Sequence, residues 1–103
     1  MNKLASQANN TSNLPYNQVS LIVRGEFLKK NIIGERLREA RLKARPKVTQ
    51  LDLLARLELR EIYLEKTSIS KIEAGTRPVT DKELVAIAEA LSVTPHWLLK
   101  VDT

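Results

Sequence analysis

The sequence predicts an all-α fold on three observations. Of its 103 residues 43% are apolar but only 4% aromatic, so the core is aliphatic, and leucine-rich stretches keep their rotamer freedom in helices. Three Gly and four Pro are too few for the tight turns of an all-β design. From Ile32 onward, apolar residues recur at intervals of three and four, the period of a helix face.

Residues 1–18 are rich in Asn, Ser, Gln and Thr. They bury too little apolar surface to offset ordering entropy and are expected to be disordered. Val19-Ser20-Leu21-Ile22-Val23, followed by Arg24-Gly25 and Glu26-Phe27-Leu28, fits a short strand or a hairpin with Gly25 in the turn. The expected division is therefore a flexible, largely disordered N-terminal extension over 1–31 and a helical domain over 32–103. Ile33, Leu37 and Ala40, with Arg41 at the edge, make the stripe of the first helix, which must stop before Pro46. Thr49 caps a second helix with Leu53, Leu54 and Leu57 inward, and whether Leu51 joins that stripe is left open. Ile69 and Ile72, three apart, share the inward face of a short third helix. Thr80 and Glu83 have the spacing of a capping box ahead of Leu84, Ile87, Ala88 and Leu91. Thr94-Pro95 starts a last helix, with Pro at its first position, leading into Trp97-Leu98-Leu99.

The net charge is +5 with a sequence pI near 9.7, a balance that suits a polyanionic partner. The extension holds Lys3, Arg24, Lys29 and Lys30 against Glu26, a net of +3, leaving +2 for the helical body. Any anion-binding surface on the body must then come from segregated charge. The absence of cysteine excludes disulfides and thiolate metal sites. Nothing after Met1 has the apolar run of a secretory signal, and no stretch approaches the roughly 18 apolar residues of a spanning helix. A cytoplasmic protein without membrane contact is expected. His96 stands alone, with no second metal ligand or nucleophile beside it, so neither metal, cofactor nor enzymatic activity is indicated.

The stretch from Thr49-Gln50-Leu51 to Ile69-Ser70-Lys71-Ile72-Glu73-Ala74-Gly75 gives the third helix two edges: the isoleucines, and an edge of Lys66, Thr67, Ser68, Ser70 and Lys71 that contains no acid. Such a helix can sit on a core and enter a DNA groove at once. With Ile33-Gly34-Glu35-Arg36-Leu37-Arg38 before it and Trp97-Leu98-Leu99 after it, the chain resembles the Cro/XRE family of phage-repressor-like helix-turn-helix regulators over residues 33–99.

The resemblance implies a compact five-helix domain that binds double-stranded DNA sequence-specifically, as a homodimer and in the sense of a repressor, reading the major groove with the helix around 66–74. Carried over residue by residue, Lys66, Thr67, Ser68, Ser70 and Lys71 face the bases, with Thr67 equally explained as a helix cap. Gln50 touches phosphate and braces the third helix, and Arg77 meets phosphate from the following loop. Arg41 and Glu73 form a structural ion pair, and Gly75 is the left-handed cap that ends the helix. Trp97 serves the core or a dimer interface, the latter built with Leu98, Leu99 and Val101. An antitoxin-like protein that neutralises a protein partner is the alternative function.

Two departures stand out. The Lys43–Val48 link is longer than usual in the family. The segment from Thr49 to Ile69 exceeds the compact motif, with its turn of about 3–4 residues, by about five. The excess falls at Leu59-Arg60-Glu61-Ile62-Tyr63-Leu64, where relatives with the longer form commonly have Gly near the position of Glu61. It must lengthen the second helix or widen the turn, with Ile62 and Leu64 tucked inward.

Overall fold

The computed structural model describes residues 28–101, so the run Val19-Ser20-Leu21-Ile22-Val23 and the polar stretch before it lie outside the described residues. Five helices follow: α1 (Gly34–Lys43), α2 (Gln50–Glu58), α3 (Ser68–Ala74), α4 (Asp81–Leu91) and α5 (Pro95–Leu98). No strand occurs among the described residues.

Each start has a local cause. At α2 the Thr49 hydroxyl accepts the Asp52 N–H at 2.9 Å while the Asp52 carboxylate accepts the Thr49 N–H at 2.9 Å. At α4, Thr80 and Glu83 repeat the exchange at 3.2 and 3.0 Å. At α5 the Thr94 hydroxyl accepts the Trp97 N–H at 3.0 Å, with Pro95 filling a position that needs no donor. Each such cap contributes about 1 kcal/mol.

The start of α1 is different, because Ile33 has no capping side chain. Asn31 supplies the acceptor: its Oδ1 takes the N–H groups of Ile33 and Gly34 at 3.0 and 2.9 Å. Its Nδ2 donates to the carbonyls of Ile72 and Arg77 at 3.0 and 2.8 Å. The Lys30 N–H also donates to the Gly75 carbonyl at 2.7 Å. Lys30 and Asn31, expected in the extension, are thus bound to the helical body.

Leu37, Leu53, Leu57, Ile69, Ile72, Ile87 and Leu98 are fully covered and form the centre of the core. Leu51 does not join them and is 58% exposed. It lies two residues, roughly 200° of helix, from Leu53, so burying Leu53 turns Leu51 outward. Gly34 brings α1 into backbone contact with the end of α3. A Cβ there would collide with the Ile72 carbonyl oxygen and lie 2.7 Å from that of Glu73.

The extra length after α2 widens the turn, and α2 ends at Glu58. The Leu57 carbonyl accepts the N–H groups of Arg60 and Ile62, both at 2.9 Å. Between them Glu61 takes φ 63°, the left-handed conformation that suits glycine. Ile62 and Leu64 pack, partly buried, against the core.

At the other end, the Arg36 guanidinium lies 5.1 Å from the Trp97 ring centroid, and Arg36 donates to the Trp97 carbonyl at 2.6 Å. Leu98 is wholly buried, so it is core and cannot contribute to the dimer surface expected of it; Val101, at 46%, stays exposed.

Two substitutions should move stability in opposite directions, as read by urea denaturation. Gly34→Ala should cost about 1–3 kcal/mol, since α1 must shift to admit the methyl group. Glu61→Gly should gain about 0.5–1 kcal/mol, because the penalty of a left-handed side chain exceeds the entropy glycine adds to the unfolded state.

Candidate nucleic-acid interface

α3 has seven residues, too few for a helix to persist alone. Its end is closed by Gly75 at φ 81°, with the Gly75 N–H donating to Ile72 and the Thr76 N–H to the Lys71 carbonyl at 3.0 and 2.9 Å. This double closure is the Schellman arrangement. The stem of Lys29 lies over Gly75, close enough that a Cβ would sit 2.9 Å from its Cγ.

The sides of α3 are held through Glu73. Arg41 Nε and Nη2 donate to its two carboxylate oxygens at 2.6 and 3.0 Å, and both side chains are buried. The third arm of the guanidinium, Nη1, donates to the Val48 carbonyl at 2.9 Å. Gln50 donates its amide to Glu73 Oε1 at 3.2 Å. Arg38 stands 3.8 Å from the same oxygen, with 62% of its side chain exposed. Arg41 and Gln50 thus meet on one carboxylate, and α1 and α2 are tied to α3 through it.

Lys66 and Thr67 just before α3, and Ser70 and Lys71 on it, are exposed. Neither Lys66 nor Lys71 has an acidic partner among the described residues. Thr67 makes no side-chain cap; its carbonyl accepts the Ser70 hydroxyl at 2.9 Å. Ser68 departs from the expectation. It is 6% exposed, because it lies one turn before Ile72 and shares that buried side. It therefore cannot belong to the outward face in this structure.

Arg77 is engaged within the chain. Its Nη1 and Nη2 donate to the two Glu83 oxygens, both at 3.0 Å, and Nη1 also reaches the Pro78 carbonyl at 2.9 Å. The bonds from Arg77, aided by the Thr80 cap, hold the Glu83 carboxyl below the usual carboxylate range, and Glu83 in turn raises the Arg77 guanidinium. Two residues outside the expected set also position this surface. Asn31 joins the start of α1 to the end of α3, and Arg38 stands beside Glu73.

A family model described as helix-turn-helix matches residues 60–98. The match spans the wide turn and α3 to α5, the part of the fold that carries the outward lysines. Over those residues the chain is similar to helix-turn-helix domains of the Cro/C1 type. The match supports, in general terms, a reading as a DNA-binding regulator of transcription. No curated protein and no solved structure matches the chain. No helix among the described residues is long and apolar enough to cross a membrane.

The Arg77–Glu83 pair and the two capping boxes give the domain an acid-sensitive stability. Glu83 is lowered mainly by its bonds from Arg77, and Asp52 by its bonds with Thr49. A carboxylate whose folded pKa is depressed stabilises above its unfolded value, about 4, and loses that contribution as pH falls through the folded value. Thermal midpoints should therefore be level from neutral pH to about 5 and then decline as the medium is acidified. Glu83→Gln should lower the neutral midpoint and make that decline shallower.

Proposed function

We propose that the protein is a sequence-specific transcriptional repressor that places α3 in the major groove of double-stranded DNA. The supporting observation is that α3 has Ile69 and Ile72 fully buried and is tied at Glu73, while Lys66, Thr67, Ser70 and Lys71 face outward. Lysine donates to guanine O6 and N7, and hydroxyls serve either a base edge or a phosphate. Gln50 in this reading has two tasks: it braces Glu73 and sits in the first turn of α2, where free N–H groups favour an anion. Arg77 reaches phosphate only by giving up bonds to Glu83, so its first role is to fasten the loop after α3 to α4. Ser68 acts from beneath, as packing. Repression follows if the bound protein occupies a site that polymerase needs.

One short helix reads too few base pairs to single out a site among a genome of competitors. A homodimer doubles the reading length and makes the operator an inverted repeat, with half-sites about one helical turn apart or a multiple of it.

Selection from random duplexes with the full-length chain tests these points together. The expected outcome is one motif with two-fold symmetry, bound with a steep salt dependence. On that motif Lys71→Ala should weaken binding by about 1–3 kcal/mol and relax preference at one or two base pairs. A uniform loss on all sequences would move Lys71 to the phosphates. Failure to select any duplex, with tight and salt-insensitive capture of a co-encoded protein, would favour the antitoxin-like function instead.

A further inference from the structure

The chain enters the helical domain along one wall of an open recess of about 390 Å³. Lys30 and Ile32 belong to that wall, Val79, Asp81 and Leu84 come from the approach to α4 and its first turn, and Leu99 follows α5. Val79, Leu84 and Leu99 pack on the core but are only partly buried, and Ile32 is 48% exposed. Aliphatic side chains from three parts of the chain thus share a surface that no described residue covers. Charge gives the recess no preference, since Lys30 and Asp81 are one of each sign. The Thr80 hydroxyl beside them is already engaged by the Glu83 N–H. The occupant that suits such a site is aliphatic.

The sequence supplies one. Ahead of the described residues it has a single dense aliphatic run, Val19-Ser20-Leu21-Ile22-Val23, with no charge in it. Val23 lies seven residues before Lys30, which itself lines the recess. Seven residues reach at most about 25 Å, several times the width of the recess, so the run can fold back onto it. A tether this short keeps its ligand near a millimolar effective concentration, about the highest a linker provides. Closing so small a loop also costs little entropy. A separate aliphatic partner has neither advantage.

We propose that this recess is the docking site of the chain's own Val19–Val23 run, with Leu21 and Ile22 supplying the side chains that enter it. Asn31 also lines the recess. The docked run therefore shields from water the hydrogen bonds by which Asn31 holds the end of α3, and shielded hydrogen bonds are electrostatically stronger. The extension becomes a brace on the helical body as well as a source of positive charge.

The experiment uses the full-length chain, which has no cysteine of its own. Val79→Cys is combined with Leu21→Cys or with Ile22→Cys, adjacent residues that face different ways in any regular backbone. Lys82→Cys replaces Val79→Cys as the control, being exposed on α4 just past Asp81 and lining a different recess. Under mild oxidation one of the Val79 pairs should close within the monomer about tenfold faster than its Lys82 control, as docking raises the local concentration. A second arm leaves the recess unaltered. Leu21→Asp with Ile22→Asp should shift the methyl resonances of Val79, Leu84 and Leu99 and lower the urea midpoint. Closure no faster than the control would overturn the inference, as would resonances and a midpoint that ignore the two aspartates. Disulfides found only between two molecules would overturn it in favour of the run of a second copy.

Discussion

The outward face of α3 depends on how one carboxylate is held. Glu73 is charged and buried, and a buried charge is tolerated only when its lone pairs are matched. Here both oxygens are taken by the fork of Arg41, and one also accepts the Gln50 amide. The fork is within reach because α1 touches α3 through Gly34, where only a hydrogen atom separates the helix from the Ile72 and Glu73 carbonyls. Gly34 and Arg41 are seven residues apart, two helical turns, and so lie on one face of α1 with Leu37 between them. A bulkier residue at Gly34 would lift this face and lengthen the ion pair. The pair contributes less to net stability than to placement, since a matched apolar contact would serve stability as well. What it adds is direction: a bidentate fork fixes rotation as well as distance.

Asn31 works on the same end of α3 from another side. Its four hydrogen bonds bring together the start of α1, the last turn of α3 and the loop at Arg77. Arg77 then passes the connection to α4 through Glu83. The end of α3 is thus fastened to three other helices by side chains that all satisfy backbone or charged partners. This explains how a helix of seven residues, with little stability of its own, keeps one orientation.

Much of this was legible in the sequence, and the exceptions share a cause. The Thr49, Thr80 and Thr94 starts, the inward isoleucines and the glycine end of α3 are local patterns whose partners lie within five residues. Asn31 was read as part of a polar extension because its decisive partners are 41 and 46 residues away. Ser68 was placed outward for its chemistry, although its spacing of one turn from Ile72 already pointed inward; periodicity outranks polarity for a small hydroxyl. Leu51, open to the inward stripe on its apolarity, is turned outward by the same period. Glu83 was legible as the partner of Thr80, but a second partner, Arg77, sits six residues before it, outside any helical repeat. Leu98 was offered to an interface because the C-terminal helix looked too apolar for its length. The packing of that helix on the core takes up the excess, and Arg36 covers part of Trp97.

The distribution of charge follows from the same architecture. The helical body carries only a small positive excess, yet its cations are sorted by task. Arg41, Arg77 and Lys100 each bind an acid and join elements distant in the chain or adjacent across a loop. To a ligand farther away than the Debye length, about 8 Å at physiological salt, such pairs are nearly invisible. Lys66 and Lys71 are among the cations without an acid; Lys71 lies on the short helix that the paired ones hold in place, and Lys66 just before its start. A polyanion approaching this side therefore meets unmatched ammonium groups on a helix whose orientation is already fixed, and little of its binding energy is lost to ordering them. The positive field that attracts the ligand and the ion pairs that build the fold are drawn from different residues, so neither has to be broken for the other to act.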